Sequence, residues 1–356
     1  MSLLPNTAPT IQQLLAHAND AWTMGMFERA LGTLIAEFTT THGRAPVVLS
    51  LGSNIGLIAQ FSLQAGAHHV VLCDPNAEAQ GLASAHLASC GFDETHFTIV
   101  TKSPLQLPAS EQYDILAHDC FGATSNAGGA AVYVWDLLRR KIVRQHSRPD
   151  GSSRRYVIPQ ESSMTARIYH VPALSADVRF GCVGNHQVSK KQAKVKWLND
   201  SDVLQLVLTK ETTQPLSERV EVLCETYDEV TDSITWPPYV ELRPTATHLP
   251  ADECIILLEW TAVLTGRFVI GTTLECNHDA KTRRARAISW GHEYALVSSV
   301  STALAPIVFA VSHRPQGGVT MSVVASMPSS SKEMHSLSSK KLQTITEATF
   351  ARAAML

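Results

Sequence analysis

The period of apolar positions changes near the middle of this chain. Over residues 11–39, Ile11, Leu14, Leu15, Trp22, Met26, Leu31, Leu34 and Ile35 recur near helical spacing, which predicts a helix. Short β-branched runs at 47–51, 69–73, 97–101 and 113–118 predict strands, and the stretches 57–66, 77–90 and 129–145 between and after them predict helices. Strands joined by helices of that length form a parallel sheet covered on both faces. From Arg155 onward the texture differs. The runs YVIP, MTARIYHV, VLQLVLT, RVEVLCETY, CIILLEWTAVL, RFVIGTTLE, YALVSSV, PIVFAVSH and VTMSVVASM follow one another across turn residues. They predict an antiparallel sandwich or barrel, with Val157-Ile158-Pro159 at the boundary.

Two polar stretches interrupt the second half. Residues 186–202 (HQVSKKQAKVKWLNDSD) read as a projecting arm, and 328–340 (PSSSKEMHSLSSK) as a mobile loop. The chain thus divides into an N-terminal helical segment (1–40), an α/β Rossmann-like domain (41–156) and a β-barrel domain (157–356). Its 356 residues suffice for two domains, and 45% hydrophobic residues exclude a disordered chain. A net charge of -3 supplies no general drive toward nucleic acid or anionic membranes. No apolar run is long enough to span a membrane, and MSLLPNTAPT lacks the basic start of a secretory signal. Seven scattered cysteines without a C-x-x-C pair point to reduced thiols in the cytoplasm, and the dispersed histidines to no metal site.

The most informative motif is VVLSLGSNIGL at 47–57. A strand, a glycine turn and a helix place a ligand at the helix N-terminus, where free N–H groups point outward. A working turn of this kind carries an acid at the strand end and three spaced glycines. Here the acid position is Ser50, the middle glycine is Asn54, and Gly52 and Gly56 remain. After it come Ala65-Gly66-Ala67, VVLCDP, YDILAHDCFG and YVIP, in that order. The series resembles the protein arginine methyltransferases over nearly the whole chain. The resemblance implies a Rossmann-like class I S-adenosylmethionine (SAM) methyltransferase domain followed by an antiparallel β-barrel with a dimerisation arm.

The resemblance also locates the chemistry. Asp74 stands where the family holds the cofactor ribose with an acid; it reads equally as a turn residue before Pro75. The adenine end matches TKSPLQL, which has no carboxylate. The arginine that meets the cofactor carboxylate falls near Thr23, with Arg29 a nearby substitute. The family grips its substrate guanidinium with two glutamates. Asp119, one methylene shorter, takes the first position, and Gly128, with no side chain, the second. A histidine that braces the site becomes Ser289, in Ala287-Ile288-Ser289-Trp290. These changes predict no catalytic residues, a vestigial cofactor site at Gly52, Gly56 and Asp74, and no productive cofactor binding.

The leading expectation is therefore a prozyme, a catalytically inactive homologue that activates or stabilises an active arginine methyltransferase paralogue. The pair would be a heterodimer or heterotetramer, with SAM held by the partner. Arms at 186–202 would dock on helices 57–66 and 77–90, where Gln60 and Gln64 face outward. One alternative is an active SAM-dependent methyltransferase with a changed acceptor, using His118, Asp119 or Cys120. A second is a non-catalytic protein- or RNA-binding scaffold, for which the basic clusters Arg139-Arg140-Lys141, Lys190-Lys191-Lys194-Lys196 and Arg283-Arg284-Arg286 speak; nucleic acid is not favoured.

Overall fold

A computed structural model describes residues 14–15, 18–52, 54–119, 130–147, 151–170, 196–197, 214–227, 239–243, 245, 254–272, 293–296, 307–313 and 319–326. Gly128, Ser289, Cys120, the run VLQLVLT, the loop 328–340 and all of the arm except Lys196-Trp197 lie outside the described residues.

Helix α1 spans Ala21–His42. The predicted helix is interrupted at Asn19-Asp20: Leu14, Leu15 and Ala18 are helical too, and α1 begins where Asp20 caps it, accepting from the Thr23 N–H at 3.1 Å. It ends at Gly43, whose φ of 66° is the left-handed region that favours glycine. Met24, Phe27, Leu31, Leu34, Ile35 and Phe38 form its buried stripe. Next come β1 (Val47–Leu51), α2 (Leu57–Gln64), β2 (His69–Cys73), α3 (Ala77–Ser89), β3 (Phe97–Val100), β4 (Ile115–His118) and α4 (Ala130–Arg139).

Helix α4 is shorter than the predicted 129–145. Lys141 turns into the left-handed region, and Tyr113 then bridges Val143, so the chain leaves the helix to join the sheet edge. Two short strands follow, β5 (His146–Ser147) and β6 (Ser153–Arg154), and then β7 (Tyr156–Ile158). YVIP was expected to open the barrel, but β7 instead pairs in parallel with β4, Leu116 against Val157. All three residues of β7 are buried, as suits a strand covered on both faces.

The parallel sheet has the order β3-β2-β1-β4-β7. Alternate residues of each strand enter two cores. Val48, Val70, Leu72, Ile115 and Ile158 pack with α1, α2 and α3. Leu49, Val71, Leu116 and Val157 pack with α4. The second sheet is built on β8 (Glu161–His170) and β13 (Cys254–Thr265), which pair antiparallel along their length. Beside them lie β10 (Gln214–Pro215), β11 (Val220–Thr226), β14 (Phe268–Gly271), β15 (Glu293–Leu296) and β9 (Lys196–Trp197). A separate antiparallel trio holds β12 (Tyr239–Leu242), β16 (Ile307–His313) and β17 (Val319–Ser326). The α1 core extends into Met164, Ile168, Trp260 and Ile270 of the second sheet, so one helix packs against both.

Candidate functional site

The site lies at the C-terminal ends of the parallel strands, where folds of this kind bind ligands. Strand β1 leads into Gly52 at φ 79°, Ile55 at φ 49° and Gly56 at φ 86°. The Gly52 N–H donates to the Cys73 carbonyl at 3.1 Å, tying the turn to the end of β2. Gly56 is required twice over. Its backbone is left-handed, and a Cβ there would lie 3.0 Å from the Ala83 carbonyl oxygen of α3. Ser50, in the acid position, is buried, and its hydroxyl donates to the Gly52 carbonyl at 3.4 Å. A carboxylate has no proton for that bond. Ile55 is β-branched and left-handed, a strained combination.

Asp74 follows β2. Its Oδ1 accepts the Asn76 N–H at 2.8 Å, the turn role that Pro75 suggests in the sequence. Asn76 then caps α3 through the N–H groups of Glu78 and Ala79, both at 3.1 Å. Sequence reasoning missed Gln80. This buried carboxamide donates to the carbonyls of Asp74 and Val100, the latter at 2.9 Å, and accepts from the Thr101 hydroxyl at 2.7 Å. It latches the ends of β2 and β3 together. The one available signal was a glutamine on the alanine face of α3. In TKSPLQL, Ser103 and Gln106 form a capping box around a short 3-10 turn.

Thr23 is buried, and its hydroxyl donates to Asp20 at 2.8 Å, so it belongs to the helix cap. Arg29 donates to the Gly25 carbonyl at 3.0 Å, and its guanidinium lies 5.6 Å from the Phe268 ring of β14. The expected substitute for the cofactor arginine therefore faces the second sheet, because α1 carries it on the side that packs there.

At the acceptor end, His118 and Asp119 are both buried. Burial pushes the His118 imidazole down to about 3, so it is neutral at pH 7 and a weak proton acceptor. The second sheet brings groups that sequence reasoning missed. Glu225 of β11 is 1% exposed; its Oε2 accepts the Tyr227 hydroxyl at 2.8 Å and the Ser162 hydroxyl at 3.3 Å. The Tyr227 ring lies 5.4 Å from Trp135 and 6.3 Å from His118. Burial, and then the Glu225 charge, push the Tyr227 phenol well up, so it stays a donor. A register shift between Glu221 and Leu223 explains the miss. It changes the inward phase of β11, so strict alternation read from Val220 does not point Glu225 inward.

Among the basic clusters, Arg140 is held by Asp136 and donates to the Leu107 and Pro104 carbonyls at 2.7 and 3.0 Å. Arg139 pairs with Asp136 at 3.2 Å. Of the other two clusters, only Lys196, in β9, falls among the described residues. Cys73 is a buried thiol pushed up to about 12 by burial first and by Asp74 and Glu111 next, whereas Cys90 is exposed. Among the described residues, no group of His, Cys, Asp and Glu could hold a metal ion.

With this geometry in place, the chain can be set beside solved structures. The Trypanosoma brucei PRMT1 enzyme–prozyme heterotetrameric complex with AdoHcy matches with a TM-score of 0.58, covering 89% of this chain and 94% of that one at 14% identity. Arabidopsis thaliana protein arginine methyltransferase 10, in a uniquely open conformation, matches at 0.58, covering 90% and 95% at 12% identity. The fold is that of the protein arginine methyltransferases. No protein-family model matches the sequence, and no curated protein matches it. The parallel sheet with its helices is the Rossmann-like methyltransferase domain of that fold, and the curled antiparallel sheet its barrel-like half.

Proposed function

We propose that this chain is a prozyme, the non-catalytic subunit of an arginine methyltransferase complex. The observation that carries the reading is Ser50, buried in the acid position with its hydroxyl turned to the Gly52 carbonyl at 3.4 Å; Asp74 gives its Oδ1 to the Asn76 N–H. On this reading the nucleotide turn does not fit SAM. Ser50 offers a hydroxyl that caps the turn, TKSPLQL caps itself, and Arg29 serves the second sheet. The acceptor end supports it too, since Asp119 is short, Gly128 has no side chain, and His118 is held neutral. The Trypanosoma brucei neighbour is itself a complex of an enzyme with a prozyme. The partner is an active arginine methyltransferase paralogue, joined as a heterodimer or heterotetramer, and the cofactor sits in that subunit. The partner's arm docks on α2 and α3. These helices are tied to each other by His86 and Gln60 at 2.7 Å, and α3 presents Gly81, Leu82 and Ala85 to solvent. The compartment is the cytoplasm. No described helix is long and apolar enough to cross a membrane.

Association tests the arm directly. Co-expressed with an active paralogue, the full chain elutes as a mixed complex in size-exclusion chromatography. Deletion of 186–202 releases the two chains while circular dichroism of the deleted chain is unchanged. Intact association after the deletion excludes that segment as the arm. One observation favours a second reading, a methyltransferase with another acceptor: the barrel brings the buried Glu225 and Tyr227 to the His118 corner. That reading requires SAM affinity in the isolated chain, and the prozyme reading does not.

A further inference from the structure

At the N-terminal edge of the parallel sheet, opposite the nucleotide turn, a second polar cluster forms around one buried carboxylate. Asp114, just before β4, is fully buried. It accepts Arg44 through both oxygens, at 2.7 and 2.6 Å, and the Val47 N–H at 2.9 Å. Arg144 donates to it at 3.1 Å, and the His146 Nε2 lies 3.4 Å away. The His146 ring is 4.7 Å from His42, the last residue of α1. His42 Nε2 is 3.2 Å from the Tyr156 hydroxyl of β7. Phe38 of α1 touches both imidazoles, at 4.5 and 5.1 Å. On the outer side Arg154 lies over the Tyr156 ring at 5.0 Å and pairs with Glu37 of α1.

Charge counting gives this cluster a direction. With both imidazoles neutral, the guanidiniums of Arg44 and Arg144 face one carboxylate. A proton on His42 adds a third cation to these two, in ring contact with His146. Burial, His146 and Arg44 oppose a proton on His42, and only Asp114 favours it. Arg154 is already matched by Glu37. We propose that the cluster is an acid-operated clasp, in which protonation of His42 releases the C-terminal end of α1 from the sheet edge. The consequence reaches beyond the edge, because α1 packs against both sheets. Its loosening weakens the junction between the Rossmann-like and barrel-like halves. The inference stands apart from the prozyme reading, since it concerns the opposite edge of the sheet and needs no partner.

Amide hydrogen exchange on the full chain, corrected for the intrinsic rate, tests it. Between about pH 7.5 and about pH 5, where histidine takes up its proton, protection of residues 34–42 falls by about tenfold more than that of β1 and β4. In a His42→Phe variant, which keeps a ring that takes no proton, this excess disappears. If that variant does not fold, His42→Gln, which keeps a bond to Tyr156, reduces the excess. Equal pH dependence in the helix end and the strands of the unaltered chain overturns the clasp. So does an excess that survives in the folded variant.

Discussion

Gly56, in the turn after β1, and Asp74, in the turn after β2, are used differently. Gly56 is retained because its backbone is left-handed and α3 approaches it closely, which packing alone explains. A Gly56→Ala variant is expected to lose about 2 kcal/mol of stability in urea unfolding. A loss under about 0.5 kcal/mol contradicts that account. Asp74 was legible as two roles, and its Oδ1 takes up the local one. Gln80 and Glu225 were not legible, because their roles depend on neighbours far along the chain: Val100 for one, Ser162 for the other. His118 carries a pH dependence whose sign follows from burial. Unfolded, its imidazole takes a proton near pH 6.5; folded, it does so only near 3. Between those values the unfolded state binds more protons, so stability falls as the pH falls. By pH 5 the expected loss is about 2 kcal/mol. Chemical unfolding at pH 7 and at pH 5 checks it, with His118→Phe expected to flatten the slope.

The elements were read well where one period ran without interruption. Strands β1 and β2 match the apolar runs because both of their faces are covered, so no alternation had to be resolved. The misreadings have local causes. Helix α4 stops at Arg139 since Lys141 turns left-handed, and YVIP joins the first sheet since β4 leaves it an open edge. The run MTARIYHV lies within β8, whose faces alternate, and the register shift in β11 hid an inward acid. The join of α1 to the sheet is held by Asp114. Burial alone would push that carboxyl up, but the Arg44 hydrogen bonds, the nearby His146 and the Val47 N–H hold it well below the usual carboxylate range. Asp114→Asn leaves two guanidiniums facing a neutral amide. It is expected to cost about 3 kcal/mol in urea unfolding, the low end for a broken buried pair because both arginines are half exposed. An unchanged midpoint contradicts this.

At the scale of the whole molecule, a parallel sheet and a curled antiparallel sheet share one core through α1. That arrangement places two different sets of groups at the ends of β1 and β4. On the cofactor side, side chains bond within their own turns. On the acceptor side, the barrel closes over His118 with Tyr227 and Glu225. On the proposed prozyme reading, the chain's contribution is made through a partner. A shift in the partner's population toward a closed cofactor site needs only a few kcal/mol, well within what an interface supplies. The most direct test is methyl transfer to an arginine–glycine-rich peptide, measured for this chain alone, for an active paralogue alone and for the two co-expressed. The prozyme account predicts no transfer by this chain alone and a rate for the mixture well above that of the paralogue alone. Transfer by this chain alone, or a mixture no faster than the paralogue, contradicts it.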